Sequence, residues 1–427
     1  MRAARGTHFL REVYDAARSY LQKVRLFGLN ARYYLLFTVL AGLVYGIYWL
    51  LFNFYVLSLG YGEELLGQLI TVSSLMALGG ALPAGLLSDR IGRKPSLLVA
   101  TLLIAAALAG QVLWPSVVGL LIMCGLLGLG ESLATVTSGP FLMENSSERE
   151  RTYLFSFSMG LNTLAGFAGN WFGGRLPAWI GEMSGFSATS TPAYMAALLV
   201  MASLGLACLL PVLLMKEGRA PVSGRGSHSS PFGFARDHPR QLVELISPML
   251  VTSLGAGLLM PFMNIYFRTA YDQSDAAIGT LFAWGSLAMA VGLLAAPPLA
   301  DRWGKIKLVV LTQAWSIPFL ALLGFSPSFA PAALAYLIRL GLMNMSGPVY
   351  QTFVMEQVEQ DARATVASLV SMSWSFGWAF SPSLSGWLQA RHGFDPVFLG
   401  TIASYVLAIL MYWQFFGRGK APVMPKA

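Results

Sequence analysis

Two ionisable side chains stand where the sequence is otherwise apolar. Glu131 is the only acid well inside a long apolar run of the first half, and Arg339 is the only base well inside any such run. A charge near the middle of a hydrocarbon slab costs at least ~2.5 kcal/mol unless it faces a cavity or finds a partner, so each marks a functional position by default. A carboxyl that alternates between burial and exposure takes up and releases a proton, which makes Glu131 the candidate proton-coupling group. Arg339 carries a fork of donors suited to an anion, so it either pairs with Glu131 or holds an anionic group of a bound molecule. A purely structural ion pair is the competing reading.

Other polar or soft side chains recur at helical spacing inside apolar runs. Trp49 and Asn53 are four apart, and Met260, Asn264 and Arg268 share one helical face. With Trp284, Asn344, Gln351 and Trp374 they form the candidate substrate contacts, and Tyr55 and Asn162 are weaker ones. Gly255, Gly257 and Pro261 should bend or unwind the helix that carries Met260, which a membrane tolerates where protein or a cavity satisfies the backbone.

Charges outside the apolar runs fall into two sets related by a constant offset of 212 residues. That offset pairs Gly67 with Gly279, Asp89 with Asp301, Arg90 with Arg302, Gly92 with Gly304, Glu144 with Glu356, Arg151 with Arg363, and Gly174 with Gly386. One offset serving separated segments implies two homologous halves. Gly92 permits a tight turn between helices, and Asp89 can accept hydrogen bonds from a cation or a helix terminus.

The segment Gly85-Leu-Leu-Ser-Asp89-Arg90-Ile-Gly92-Arg93-Lys94 resembles the signature loop G-x-x-x-D-R-x-G-R-K of the major facilitator superfamily, and Asp301-Arg302-Trp303-Gly304-Lys305 resembles a second copy of it. Gly166-Phe-Ala-Gly169-Asn170-Trp-Phe-Gly173-Gly174 is similar to the glycine-rich stretch of that family's drug and proton antiporters, with Asn170 in place of Pro. Ser381-Pro382-Ser-Leu-Ser385-Gly386 repeats it with the Pro kept. Leu126-Leu-Gly128-Leu-Gly130-Glu131 resembles a stretch of the family's organic-anion carriers, with Cys124 where those carry Arg.

The resemblance implies a secondary active carrier working by alternating access, with proton-coupled efflux of a small organic molecule as the leading expectation. Uptake of an organic anion or nutrient, and a lipid-moving or non-transporting membrane sensor, stand as alternatives. It also implies that Asp89, Arg93, Glu144 and Arg151 together with Asp301, Lys305, Glu356 and Arg363 latch the cytoplasmic face when that face closes, around the motif residues Gly85, Arg90, Gly92, Arg302 and Gly304.

The elements that must position these groups are membrane helices. Of 427 residues 56% are hydrophobic and 11% charged, against about a quarter charged in a soluble domain. A hydrocarbon core of about 30 Å takes roughly twenty apolar residues as a helix. Such spans lie near Tyr34–Ser58, Leu66–Leu87, Ser96–Trp114, Val117–Met143, Tyr153–Leu176 and Ala193–Met215 in the first half. Those of the second half lie near Leu242–Arg268, Ala276–Leu299, Leu308–Phe325, Ala330–Met355, Thr365–Leu388 and Pro396–Phe416. The expected fold is an all-α membrane protein of twelve transmembrane helices in two pseudo-symmetric six-helix bundles, residues 33–215 and 241–416. An amphipathic N-terminal segment (1–32), a linker (216–240) and a tail (417–427) complete the chain, all cytoplasmic.

Every Lys and Arg of the 28 except Arg175, Arg268, Arg339 and Arg391 falls on one side of this arrangement, so the positive-inside rule puts both termini in the cytoplasm, as in a bacterial inner membrane. The same clustering assigns the net charge of +8 to membrane topology rather than to nucleic acid. No phosphate-binding loop occurs, His8, His228, His238 and His392 all lie outside the spans, and Cys124 and Cys208 are isolated in apolar runs. No enzyme activity, cofactor or metal is expected. The expected partners are a small-molecule substrate, protons and the bilayer, with the chain acting as a monomer.

Overall fold

The structure, a computed structural model, describes residues 27–216, 238–358 and 363–417. Most of the N-terminal segment, of the linker and of the tail lies outside the described residues. Among the described residues all regular structure is helical.

The first half contains α1 (Leu29–Ser58), α2 (Glu63–Ile91), α3 (Arg93–Leu113), α4 (Val117–Glu144), α5 (Glu148–Gly173) and α6, which runs Thr191–Ala207 and resumes as Leu209–Leu214. A short helix not expected from sequence, Leu176–Ser184, lies between α5 and α6. In the second half α7 runs Pro239–Leu259, passes through a 3-10 turn at Met260–Phe262, and continues as Met263–Tyr271. Then follow α8 (Asp275–Trp303), α9 (Lys305–Phe325), α10 (Phe329–Glu356), α11 (Arg363–His392) and α12 (Asp395–Tyr412), which ends in a π turn. The face where α1 begins is the terminal face, and the face where it ends is the far face.

Three helices, α4, α5 and α8, start where a polar side chain replaces the missing intrahelical acceptor. Ser116 accepts from the Gly119 N–H and Ser274 from the Ala277 N–H, and Ser147 forms a capping box with Glu150. The signature loops turn at Gly92 and Gly304, with φ of 92° and 87°, a region open to glycine and strained for other residues.

Among the described residues nine helices are long and apolar enough to cross a membrane by composition alone. α5, α10 and α11 have 26, 28 and 30 residues, ample length, but are more polar. α10 and α11 spend that polarity on lining cavities between and within the halves, and α5 sets Ser158 against Thr38 of α1 at 3.4 Å. The break in α7 falls at Pro261, as its sequence requires. Gly255 and Gly257 instead give close approach to α12 and α11, since a Cβ on either would meet Ser404 or the Gly377 carbonyl.

Within the halves α1 packs on α5 and α2 on α4, as α7 packs on α11 and α8 on α10. Across the halves the main contacts are α2 with α11 and α5 with α8, two pairs exchanged by the repeat. Glycine makes both possible. A Cβ on Gly279 would lie 2.5 Å from the Asn170 carbonyl and 2.9 Å from the Gly174 Cα, while one on Gly67 would collide with the Pro382 carbonyl and one on Gly386 with the Glu63 carbonyl. All four positions lie toward the far face. There one hydrophobic core joins both halves, from Ile47, Leu50 and Phe54 to Phe262, Ile265 and Ile278. At the terminal face the core divides into a cluster around Tyr34, Leu97 and Phe141 and another around Leu308, Tyr350 and Tyr412, each within one half. The bundles are therefore joined at the far face and parted at the terminal one.

Gly166 and Gly169 of α5 give a matched test of this close packing. A Cβ at Gly166 meets nothing within 4 Å, whereas at Gly169 it comes 2.5 Å from the Leu43 carbonyl of α1. Gly169→Ala is expected to destabilise the detergent-solubilised protein by about 1–3 kcal/mol while Gly166→Ala stays near wild type, measured by thermal unfolding.

Candidate functional site

Between the halves lies a cavity of about 470 Å³ walled by α1, α2, α4 and α11. Among the described residues Glu131 is the one charged side chain in its lining. Two glycines bring it there. A Cβ at Gly128 would collide with the Ser73 carbonyl of α2, and one at Gly130 would crowd Ile104 of α3 at 2.8 Å, so α4 is drawn against both helices. The Tyr45 hydroxyl donates to Glu131 Oε1 at 2.9 Å, and Tyr45, Trp49 and Asn53 follow at four-residue spacing along one face of α1. Five aromatic rings share the wall with aliphatic side chains and the hydroxyls of serines and Thr135. Trp49 meets Trp378 edge-on at 6.0 Å across the halves, Trp378 tilts against Trp374 at 6.5 Å, and Tyr48 stacks on Phe52 at 4.8 Å.

Toward the far face a reciprocal asparagine clasp joins α1 to α7. Asn53 Nδ2 donates to the Pro261 carbonyl at 2.7 Å and to Asn264 Oδ1 at 2.8 Å, while Asn264 Nδ2 donates to the Leu50 carbonyl at 2.8 Å. Each asparagine thus bonds the carbonyl three residues before the other. Both are buried, as such exchange of bonds in an apolar setting requires. Nearby, Arg268 pairs with Asp275, and Tyr194 of α6 donates to Asp275 Oδ2 at 2.8 Å and accepts from Arg268 at 2.9 Å. The Arg268 guanidinium lies 3.4 Å from the centre of the Phe54 ring. Arg175 reaches Thr280 at 3.2 Å, and Ser383 reaches Thr71 at 2.8 Å, adding a bond to α8 from just beyond the end of α5 and one between α11 and α2.

Arg339 lies apart from this cavity, 1% exposed on α10. It donates to the Tyr405 hydroxyl at 3.0 Å and to the Met260 sulfur at 3.6 Å, and its Nε has no partner. Among the described residues it has no carboxylate partner, so the structure does not bond it to Glu131.

At the terminal face the charge clusters pair inside their own halves. Arg93 contacts Asp89 at 2.7 Å and Glu144 at 3.0 Å, and donates to Ser88 at 2.8 Å. The repeat-related Lys305 pairs with Glu356. Arg363 donates to the Val358 carbonyl at 3.4 Å, the Arg151 Nε is buried without a partner, and Arg90, Asp301 and Arg302 are exposed.

The sequence model of the Major Facilitator Superfamily matches residues 34–252 and 245–426. The chain belongs to that superfamily. Among its relatives, the cis,cis-muconate transport protein of Acinetobacter baylyi is 26% identical over 160 residues, which is 36% of this chain and 38% of that protein. The multidrug resistance protein MdtG of Salmonella typhimurium is 24% identical over 351 residues, 79% of this chain and 82% of that one. The chain thus aligns with well under half the length of the muconate relative. The solved nucleoside transporter NupG superposes with a TM-score of 0.71 at 13% identity, covering 92% of this chain and 99% of that one, which confirms the fold.

Within this superfamily fold the sequence-chosen contacts separate. Trp49, Asn53 and Trp374 line the central cavity with Glu131, and Trp374, Asn344 and Gln351 line a second cavity in the second half. Met260 and Asn264 sit at the α7 break, and Trp284 packs edge-on against Phe167 at 6.1 Å between α8 and α5. Sequence reasoning missed Tyr45, Trp378, Ser371, Ser375 and Gln313. The available signal was the run Ser371, Trp374, Ser375, Trp378, a polar and aromatic face at three- and four-residue spacing on α11.

Breaking one side of the clasp strands polar groups on the other. Asn53→Ala and Asn264→Ala are each expected to cost about 1–3 kcal/mol. The double variant should cost less than their sum, by a coupling of about 0.5–3 kcal/mol in a denaturation cycle. Additive losses would show that the two asparagines act independently.

Proposed function

We propose that this superfamily transporter is a proton-coupled exporter of amphipathic aromatic compounds, neutral or cationic, acting as a monomer in a bacterial-type inner membrane. The observation that carries the reading is a single carboxylate, with no basic side chain among the described residues, on a cavity wall that carries five aromatic rings. Such a wall suits flat apolar surface and a positive group, and gives an organic anion no cation to pair with among the described residues. The similarity to a multidrug resistance protein over most of both chains supports it.

In this reading both termini are cytoplasmic, and the structure is the state open to the cytoplasm. The two bundles, residues 33–215 and 241–416, rock about the far-face contacts. Glu131 holds either a proton or the positive group of the cargo, so that proton entry from outside drives cargo release. The Arg93 and Lys305 clusters, paired within their halves here, re-pair across the terminal face when it closes.

One observation favours a second reading, uptake of an organic anion. Arg339 is buried with an unpartnered Nε and no carboxylate, an arrangement that an anionic group reaching it in another state would complete.

Inside-out vesicles carrying a fluorescent lipophilic cation separate these readings. Glu131→Gln is expected to abolish accumulation driven by a proton gradient and, since the same carboxylate holds the positive group, to weaken binding of the cation. Full gradient-driven transport in Glu131→Gln would sink the coupling assignment. Transport of aromatic carboxylates that disappears in Arg339→Gln would move the conclusion to the anion reading.

A further inference from the structure

A second cavity of about 400 Å³ opens beside the first, in the second half, and shares Ser371, Trp374 and Ser375 with it. Its lining holds no charged side chain among the described residues. What distinguishes it is the direction of its hydrogen bonds. Thr252 donates its hydroxyl proton to the Pro248 carbonyl at 2.8 Å, Ser346 to Met343 at 2.8 Å, and Ser375 to Ser371 at 3.3 Å. Asn344 likewise spends an amide hydrogen on the Leu340 carbonyl at 2.9 Å. In these four residues protons are turned into the helices, so their oxygens keep lone pairs for the cavity, whose other donors include Gln351, Ser371, Trp374 and the Tyr412 hydroxyl.

Gln313 completes the pattern. It is 2% exposed, and its Nε2 lies 3.3 Å from the Ser346 oxygen. Because the Ser346 proton is already committed to Met343, Gln313 must be the donor in that contact, which fixes the orientation of its amide. The remaining Oε1 is a buried acceptor with no partner. A buried amide oxygen left unpaired is costly, and a donor brought into the cavity removes that cost.

We propose that this cavity is a ligand subsite that accepts a neutral, donor-rich group, a polyol or a primary amide, with Gln313 as its specificity-determining residue. It deepens the export reading and rests on it: the aromatic end of the cargo occupies the cavity beside Glu131, and its hydroxylated or amide end occupies the second one. The sharing of Trp374 between the two cavities lets one molecule span both.

The test uses the full chain in detergent and three fluorescent probes: 4-methylumbelliferone, its β-glucoside, and the tetra-O-methyl ether of that glucoside, which keeps the sugar ring and its oxygens, loses every sugar donor and adds four methyl groups whose bulk no substitution at Gln313 relieves. The wild type is expected to bind the glucoside roughly tenfold more tightly than the ether. Gln313→Met, close in volume, should bring that ratio near one while leaving the affinity for 4-methylumbelliferone unchanged. Ser375→Ala, a milder change that leaves the packing intact, should lower the ratio partly.

No preference for the glucoside in the wild type, or a preference that survives in both variants, overturns the proposal and leaves a cavity that holds water only. The two readings fail separately. Loss of the probe preference with Glu131-dependent transport intact removes the subsite alone, and preference intact without proton coupling removes the export mechanism alone.

Discussion

The two halves meet backbone to backbone. At Gly174 and Gly279, and again at Gly67, Pro382 and Gly386, carbonyls and Cα atoms of facing helices come so close that a single added methyl group has no room. In a lipid environment there is little hydrophobic force between helices, so such contact is what makes the association favourable, through dispersion over a short distance. Much else depends on it. The shared far-face core, the asparagine clasp and the Arg268, Asp275 and Tyr194 group form only because the backbones are already that close. The cavity exists because nothing comparable joins the two cores at the terminal face.

The scaffold is duplicated but its chemistry is not. The repeat offset carries the glycines, the signature loops and the Arg93–Glu144 and Lys305–Glu356 pairs from one half to the other. It carries Glu131 to Met343 and Arg339 to Leu127, so neither intramembrane charge has a charged counterpart. The first half thus supplies an acid at the cavity wall, supported by Tyr45. The second supplies a buried cation held by Tyr405 and Met260, and a set of oxygens with their protons turned away. Symmetry gives the molecule two like bundles, and the departure from symmetry gives each its own chemistry.

The spans, their number and the turns at Gly92 and Gly304 were legible in the sequence because each depends on local composition or on one backbone requirement. The cavity acid was legible because a carboxylate in an apolar helix has few innocent explanations. The clasp was not. Asn53 and Asn264 each read as one polar residue on an apolar face, suited to contacting substrate, and only the fold shows that each is spent on the other. Their separation of 211 residues, one short of the repeat, is a trace visible only once the pairing is known. Gln313 was hidden for a related reason: a single neutral amide in an apolar span announces nothing until the bonds of its neighbours are counted.

The break in α7 ties the clasp to the rest of the helix. In an unbroken helix the Pro261 carbonyl would accept from the N–H of Ile265, four residues on. Here that N–H is taken by Asn264 Oδ1 at 2.9 Å, and the Pro261 carbonyl is served instead by Asn53 from the other half. The backbone of one bundle is therefore completed by a side chain of its partner. If the halves part at the far face, Asn53 leaves and the carbonyl stands unpaired in an apolar region, a state of several kcal/mol. Either water must enter as the gap forms, or Asn264 must release the Ile265 N–H so that α7 closes its own ladder. In the second case opening the far face and changing the shape of α7 are a single event, because the Asn264 amide oxygen serves both the clasp and the Ile265 N–H.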